Sequence, residues 1–103
     1  MIRTLHKNSH NLPLLICDIC DTWIEGAGEA AAVWKTARNE GDASPVLHVD
    51  KRGCHAQAEQ RLGGKVNCSW DELGTHLLYL IGNTGLTPEQ LREIQDRNDR
   101  LGL

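Results

Sequence analysis

The chain has 103 residues, a formal net charge of −3 and four cysteines, which together exclude several classes of protein. No apolar run approaches the roughly 20 residues of a membrane span, and the polar start is unlike a signal peptide. Residues 1–65 carry eight basic and eight acidic side chains, and residues 66–103 carry three basic and six acidic ones, which disfavours nucleic-acid binding. Four cysteines in a chain without an export signal favour metal or redox chemistry, so we expect a cytoplasmic protein.

The first two thirds of the chain predict a short arm and a small mixed unit. Residues 1–13 form a polar N-terminal arm that we expect to be mobile. Residues 14–65 then alternate short β-like pieces with turn residues, which predicts a small antiparallel ribbon. Helix-forming residues over 54–62, stopped by Gly63-Gly64, predict one short helix. The β-like pieces are 22–24, 32–36 and 46–49.

The last third, residues 66–103, changes to helical periodicity. Ser69 with Glu72 has the spacing of a capping box, and the apolar residues that follow predict a helix from Trp70 to Gly82. Thr87 with Gln90 forms a second capping box, with proline at the first helical position. A helical hairpin is therefore predicted after the ribbon, and the whole chain is predicted to be one α+β domain.

The cysteines suggest a metal site at the centre of residues 14–65. Cys17 and Cys20 are spaced so that both thiolates of one tight turn can bind the same ion. His48 would end a strand and Cys54 would open a helix, so both can face that turn. A closed Cys3His set holding one structural Zn²⁺ is the prediction. Its net charge of −1 would be partly offset by the adjacent basic pair Lys51-Arg52.

Two other residues compete for the fourth ligand position. His55 directly follows Cys54, and neighbouring helical residues point about 100° apart, which makes joint ligation of one metal awkward. Cys68 lies beyond the Gly63-Gly64 break and reads more naturally as a small buried hydrophobe. His48 is therefore preferred, with His55 as the main alternative.

The order of a CxxC turn, a β-hairpin and a helix with a ligand in its first turn resembles a treble-clef or zinc-ribbon-like finger. The segments 15–20 and 48–54 also resemble small bacterial zinc-finger-like proteins of unassigned role. The resemblance covers about residues 14–63 and leaves the helical tail outside. It departs from the usual pattern at Asp21, where glycine often follows the second cysteine. In addition, many treble clefs take two ligands from the helix, which would favour His55 or a later residue over His48.

Three functions compete on these observations. The preferred one is a non-enzymatic, zinc-stabilised interaction or regulatory module that binds a protein partner or a second copy through the helical hairpin. The first alternative is a DNA-binding transcriptional regulator that uses the two C-terminal helices, although residues 88–100 carry four acidic residues against three arginines. The second is a thiol oxidoreductase built on Cys17 and Cys20, although no thioredoxin-like βαβ pattern surrounds them.

The sequence contains no recognisable catalytic constellation. A catalytic zinc would need an open coordination position and a general base. If Cys54 or His48 did not ligate, Glu25 or Asp50 could be nominated, although no motif recommends either.

Overall fold

The computed structural model describes residues 1–101 and has a mixed α+β architecture with two small antiparallel sheets and three α-helices. The last two residues of the predicted hairpin segment lie outside the described range. No helix within the described residues is both long and apolar enough to cross a membrane. The elements are β1 (Ile2–Lys7), β2 (His10–Leu15), β3 (Ala30–Lys35), β4 (Val46–Asp50), α1 (Cys54–Arg61), β5 (Cys68–Glu72), α2 (Leu73–Asn83) and α3 (Pro88–Arg100).

The N-terminal segment expected to be a mobile arm is a β-hairpin. β1 and β2 pair from Ile2↔Leu15 to Lys7↔His10, and the turn residues Asn8 and Ser9 have φ of 52° and 64°. Two consecutive positive φ angles are typical of the tight turn whose twist matches a β-hairpin. Most side chains of this ribbon are exposed, so the sequence lacks the alternating apolar pattern that would have signalled its strands.

The second sheet has the strand order β4-β3-β5 and carries the core of the molecule. β3 is its central strand, and its residues Ala30 to Val33 are fully buried. Because side chains alternate between the two faces of a strand, Val33 and Val49 face α1, while Trp34 and His48 face α2. The predicted antiparallel ribbon is thus present, but the predicted piece over 22–24 makes only an isolated bridge between Trp23 and Ile16.

The strand β5 replaces the first turns of the helix that the sequence predicted. Residues 68–72 pair with β3, and α2 begins at Leu73 with no side-chain cap, so the Ser69–Glu72 capping box does not form. Tertiary pairing with the central strand overrides the local helix signal here. Leu73, the first residue of α2, is 1% exposed and anchors the helix on the sheet.

The other helix boundaries agree with the sequence signals. α1 ends at Arg61, and Gly63 and Gly64 have φ of 108° and 104°, a region that favours glycine. α3 starts with the predicted capping box: the Thr87 hydroxyl accepts a hydrogen bond from the Gln90 N–H, and the Gln90 side chain accepts one from the Thr87 N–H. No residue of α3 is buried.

Candidate metal centre

Three of the four predicted ligands come together in the structure. Cys17, Cys20 and Cys54 form a cluster with Asp50, and one ligand atom from each residue lies within 4.8 Å of all the others. Zn–S bonds of about 2.3 Å in a tetrahedron would place neighbouring ligand atoms roughly 3.8 Å apart, so a small contraction would close the cluster around one ion. Cys17, Asp50 and Cys54 are buried, whereas Cys20 is exposed.

A tight knuckle turn presents the first two cysteines. The Asp21 N–H donates to the Cys17 carbonyl at 3.0 Å, and the Cys17 N–H donates to the Thr22 carbonyl at 2.9 Å. Asp21, which occupies the place where glycine is often found, has φ of 59°. Aspartate tolerates this left-handed conformation better than most residues do, so the departure from the usual pattern does not break the turn.

Helix α1 presents the third cysteine at its first residue. Gly53 precedes it with φ of 89°, a conformation that other residues rarely adopt, and this turns the chain from β4 into the helix. The Asp50 carboxylate braces the turn, because its Oδ1 accepts a hydrogen bond from the Arg52 N–H at 2.9 Å. The second oxygen, Oδ2, accepts a hydrogen bond from the Cys20 thiol, with 3.0 Å between Sγ and Oδ2, and faces the three cysteines.

The thiols of the cluster have different acidities. Burial would raise the pKa of Cys17, but backbone hydrogen bonds from Cys20, Asp50 and Ile19 outweigh it, and the pKa is lowered. Burial raises the pKa of Cys54 strongly, and its hydrogen bonds with Asp50 and the other two cysteines raise it further. Of the two buried thiols, Cys17 therefore loses its proton more readily than Cys54.

The carboxylate is held in its ionised form. The hydrogen bond from Cys20 is the main cause of a lowered pKa at Asp50, and it is opposed by burial. The N–H and the positive charge of Arg52 lower the pKa further. Metal binding would therefore displace protons from sulfur rather than from Asp50.

The predicted fourth ligand, His48, lies outside this cluster. Its ring packs edge-on against His76 of α2, with centroids 5.7 Å apart, and its Nδ1 lies 3.9 Å from Asp18 Oδ2. That Nδ1 is buried and has no hydrogen-bond partner within the described residues. The structure thus groups Asp50, two residues further along the same strand, with the three cysteines in place of His48.

The competing candidates also lie elsewhere. His55 packs edge-on against Trp70 at 5.0 Å, and its Nε2 lies 3.6 Å from Glu59 Oε2. The Cys68 thiol donates to the Glu59 carbonyl at 3.6 Å, and burial, followed by the Glu59 charge, raises its pKa. Both residues therefore have a partner in Glu59 of α1, and neither belongs to the four-residue cluster.

The basic pair expected to offset the charge of the site is divided. Lys51 forms an ion pair with Glu72 on β5, whereas Arg52 remains beside Asp50. Three thiolates, one carboxylate and Zn²⁺ would carry a net charge of −2. Arg52 is thus the member of the pair whose charge acts on the cluster.

Asp50, which the sequence offered only as a substitute should Cys54 or His48 not ligate, has one local feature that favours a place in the cluster. Asp50 comes just before a turn and a helix that begins with a cysteine. At such a position a carboxylate can accept a hydrogen bond from the N–H two residues later with one oxygen and offer its other oxygen to a metal.

No protein-family model, no curated protein and no solved structure matches this chain.

Proposed function

We propose that this chain is a small zinc-binding protein in which Cys17, Cys20, Cys54 and Asp50 hold one structural Zn²⁺. The observation that carries the proposal is the convergence of these four ligand atoms within 4.8 Å. Three sulfur ligands favour a soft or borderline metal over Mg²⁺ or Ca²⁺, and zinc is the usual partner of such tetrahedral sets. All four positions are supplied by the protein, which is typical of a structural site.

The small size of the core supports a structural role for the metal. The largest fully buried side chains are Leu73, Val33, Val49 and Cys17, and the centre of the sheet is built from three alanines. The cluster joins the knuckle turn, the end of β4 and the start of α1, whose fully buried contacts with one another come from small side chains such as Val49 and Ala58. Zinc binding contributes on the order of 10 kcal/mol to folding in comparable small domains, so a metal at this position would be a large share of the stability of the protein.

The arrangement of elements supports a treble-clef-type finger as the finer description. The knuckle precedes the β3–β4 hairpin, and α1 follows it with a cysteine at its first residue. In this chain the fourth ligand would come from the end of the hairpin rather than from the helix. The chain would therefore be a variant of the treble-clef finger in which Asp50 takes the fourth metal-ligand position.

We extend the proposal to a non-enzymatic role in a reducing compartment such as the cytoplasm, because the site needs reduced thiols. A protein partner or a second copy on the C-terminal helices stays a prediction. Its support is the exposure of apolar side chains on both helices, of which Leu78 is 67% and Ile94 is 37% exposed. The DNA-binding alternative is weakened by α3, whose acidic residues outnumber its arginines four to three.

The proposal is tested by the metal content of protein purified without chelator. We expect native mass spectrometry to find one zinc per chain. When a strong chelator removes the zinc, the circular dichroism spectrum of the folded protein should be lost. Cys54→Ser should lose the zinc, whereas the matched control Cys68→Ser should retain it. Metal-free protein in which Cys17 and Cys20 cycle between dithiol and disulfide would overturn the proposal and favour the oxidoreductase.

A further inference from the structure

A groove of about 1060 Å³ lies on the opposite side of the sheet from α1. One wall is the β3–β4 loop over residues 36–45, the other is α2, and the floor is formed by the ends of β3 and β5. This volume is close to the range of small-molecule sites. Its lining includes Trp34, Asp71, His76, Tyr79 and Asn83.

Hydrogen bonds hold the loop wall in place. The N–H groups of Arg38 and Asn39 donate to Asp42 Oδ2 at 3.2 and 3.0 Å. The Arg38 guanidinium donates to Asn67 Oδ1 at 2.8 Å, and the Lys35 N–H donates to Ser44 Oγ at 3.0 Å. The groove is thus formed before any ligand enters, which reduces the ordering cost of binding.

Aromatic rings line the floor and the helical wall. Trp34 stacks on His76 with centroids 6.1 Å apart and an interplanar angle of 30°. Tyr79 and Asn83 follow His76 at spacings of three and seven residues, which places all three on one face of α2. Tyr79 is 61% exposed although it lines a groove, so its ring is available to a ligand.

One acidic side chain in the groove is left without a partner. Asp71 is half-buried, and none of the side-chain hydrogen bonds or ion pairs within residues 1–101 involves it. Asp42 accepts two N–H groups of the loop, and the Arg38 guanidinium donates to Asn67 Oδ1. Lys35 pairs with Cys68, so alternation directs its side chain to the sheet face opposite Trp34 and Asp71.

We propose that this groove binds a small aromatic cation, a flat ring that carries a protonated amine. The ring would pack against Trp34 and Tyr79, and the amine would pair with the Asp71 carboxylate. Aromatic faces attract cations, and a carboxylate beside them adds direction and charge selectivity. The proposal does not depend on the zinc site, which lies at the other end of β4.

The test compares two probes with the same ring and opposite charge, tryptamine and indole-3-acetate, on the full chain as it is purified. Binding is followed by ¹H–¹⁵N NMR titration. We expect saturable shifts centred on Trp34, His76 and Tyr79, and an affinity for tryptamine about tenfold higher than that for indole-3-acetate.

Three variants make the result specific. Asp71→Asn should abolish the preference for tryptamine, whereas Asp99→Asn, which removes the same charge from exposed α3, should preserve it. Tyr79→Leu should weaken both probes while leaving the fold intact, because the Tyr79 side chain is exposed. Equal affinity for both probes, shifts centred outside the groove, or no saturable shifts would overturn the proposal.

Discussion

Asp18 forms hydrogen bonds with both backbone polar groups of His48, the carbonyl and the N–H. The Asp18 N–H donates to the His48 carbonyl at 2.8 Å, and the Asp18 carboxylate accepts the His48 N–H at 2.7 Å. His48 lies in β4, an edge strand whose outer polar groups would otherwise face solvent or remain unpaired. The CxxC turn is thereby fastened to the strand that carries Asp50.

Removing the Asp18 carboxylate should loosen this connection. We expect Asp18→Ala to lower the free energy of unfolding of the metal-loaded protein by about 1–3 kcal/mol, because the half-buried His48 N–H loses a charged acceptor. Urea unfolding followed by circular dichroism measures the change. Asp99→Ala, on the exposed face of α3, is the control. A change in Asp18→Ala no larger than that of the control would contradict the assigned role.

Zinc affinity should distinguish Asp50 from His48 as the fourth ligand. Asp50→Asn keeps an acceptor for the Arg52 N–H but removes the anionic oxygen, and we expect it to weaken zinc binding at least about tenfold. His48→Gln should change the affinity little, because its ring faces His76 rather than the cysteines. Competition with a chromophoric chelator measures both variants. The opposite ranking would return the fourth position to His48.

Acid should destabilise the protein partly through His48. Burial, and next the Met1 ammonium, lower the pKa of His48 below the 6.5 that is usual for histidine, although Asp18 opposes them. As the pH falls through 6.5, His48 is protonated more readily in the unfolded chain than in the folded protein. The free energy of unfolding therefore decreases. At saturating zinc, we expect the free energy of unfolding between pH 7.5 and 5.5 to fall more steeply for wild type than for His48→Gln.

The matched control for that pH series is His10→Gln, in the exposed β-hairpin. It should follow the wild-type curve, because the substituted ring has no buried contact to lose. If His48→Gln shows the same pH dependence as wild type, the buried imidazole does not contribute to acid sensitivity.

The capping box of α3 should act locally. Thr87→Ala removes the hydroxyl that accepts from the Gln90 N–H, and we expect a loss of about 1 kcal/mol in the stability of this helix. Since α3 buries no residue, the global unfolding midpoint should change little. Amide hydrogen exchange within α3 provides the readout, and Thr75→Ala on the exposed side of α2 is the control. A large global destabilisation would show that α3 is coupled to the core.

The two capping-box spacings in this sequence differed in how well they predicted the start of a helix. Thr87 and Gln90 predicted the start of α3 correctly, because the cap depends only on residues three apart and α3 has no competing strand partner. Ser69 and Glu72 have the same spacing, but β3 offers their segment a neighbouring strand. The backbone groups of residues 68–72 pair with that strand, and helix α2 starts at Leu73 instead.

The residues of the candidate metal centre show the same difference between local and long-range signals. The CxxC spacing and the cysteine at the start of α1 are local features, and from them the sequence predicted that Cys17, Cys20 and Cys54 could share one metal ion. The tertiary structure groups Asp50 rather than His48 with these cysteines, although the two residues lie two positions apart in β4. The His48 ring packs against His76 of α2, 28 positions away, whereas the Asp50 carboxylate lies among the thiols at the end of β4; both are long-range contacts, which local spacing does not encode.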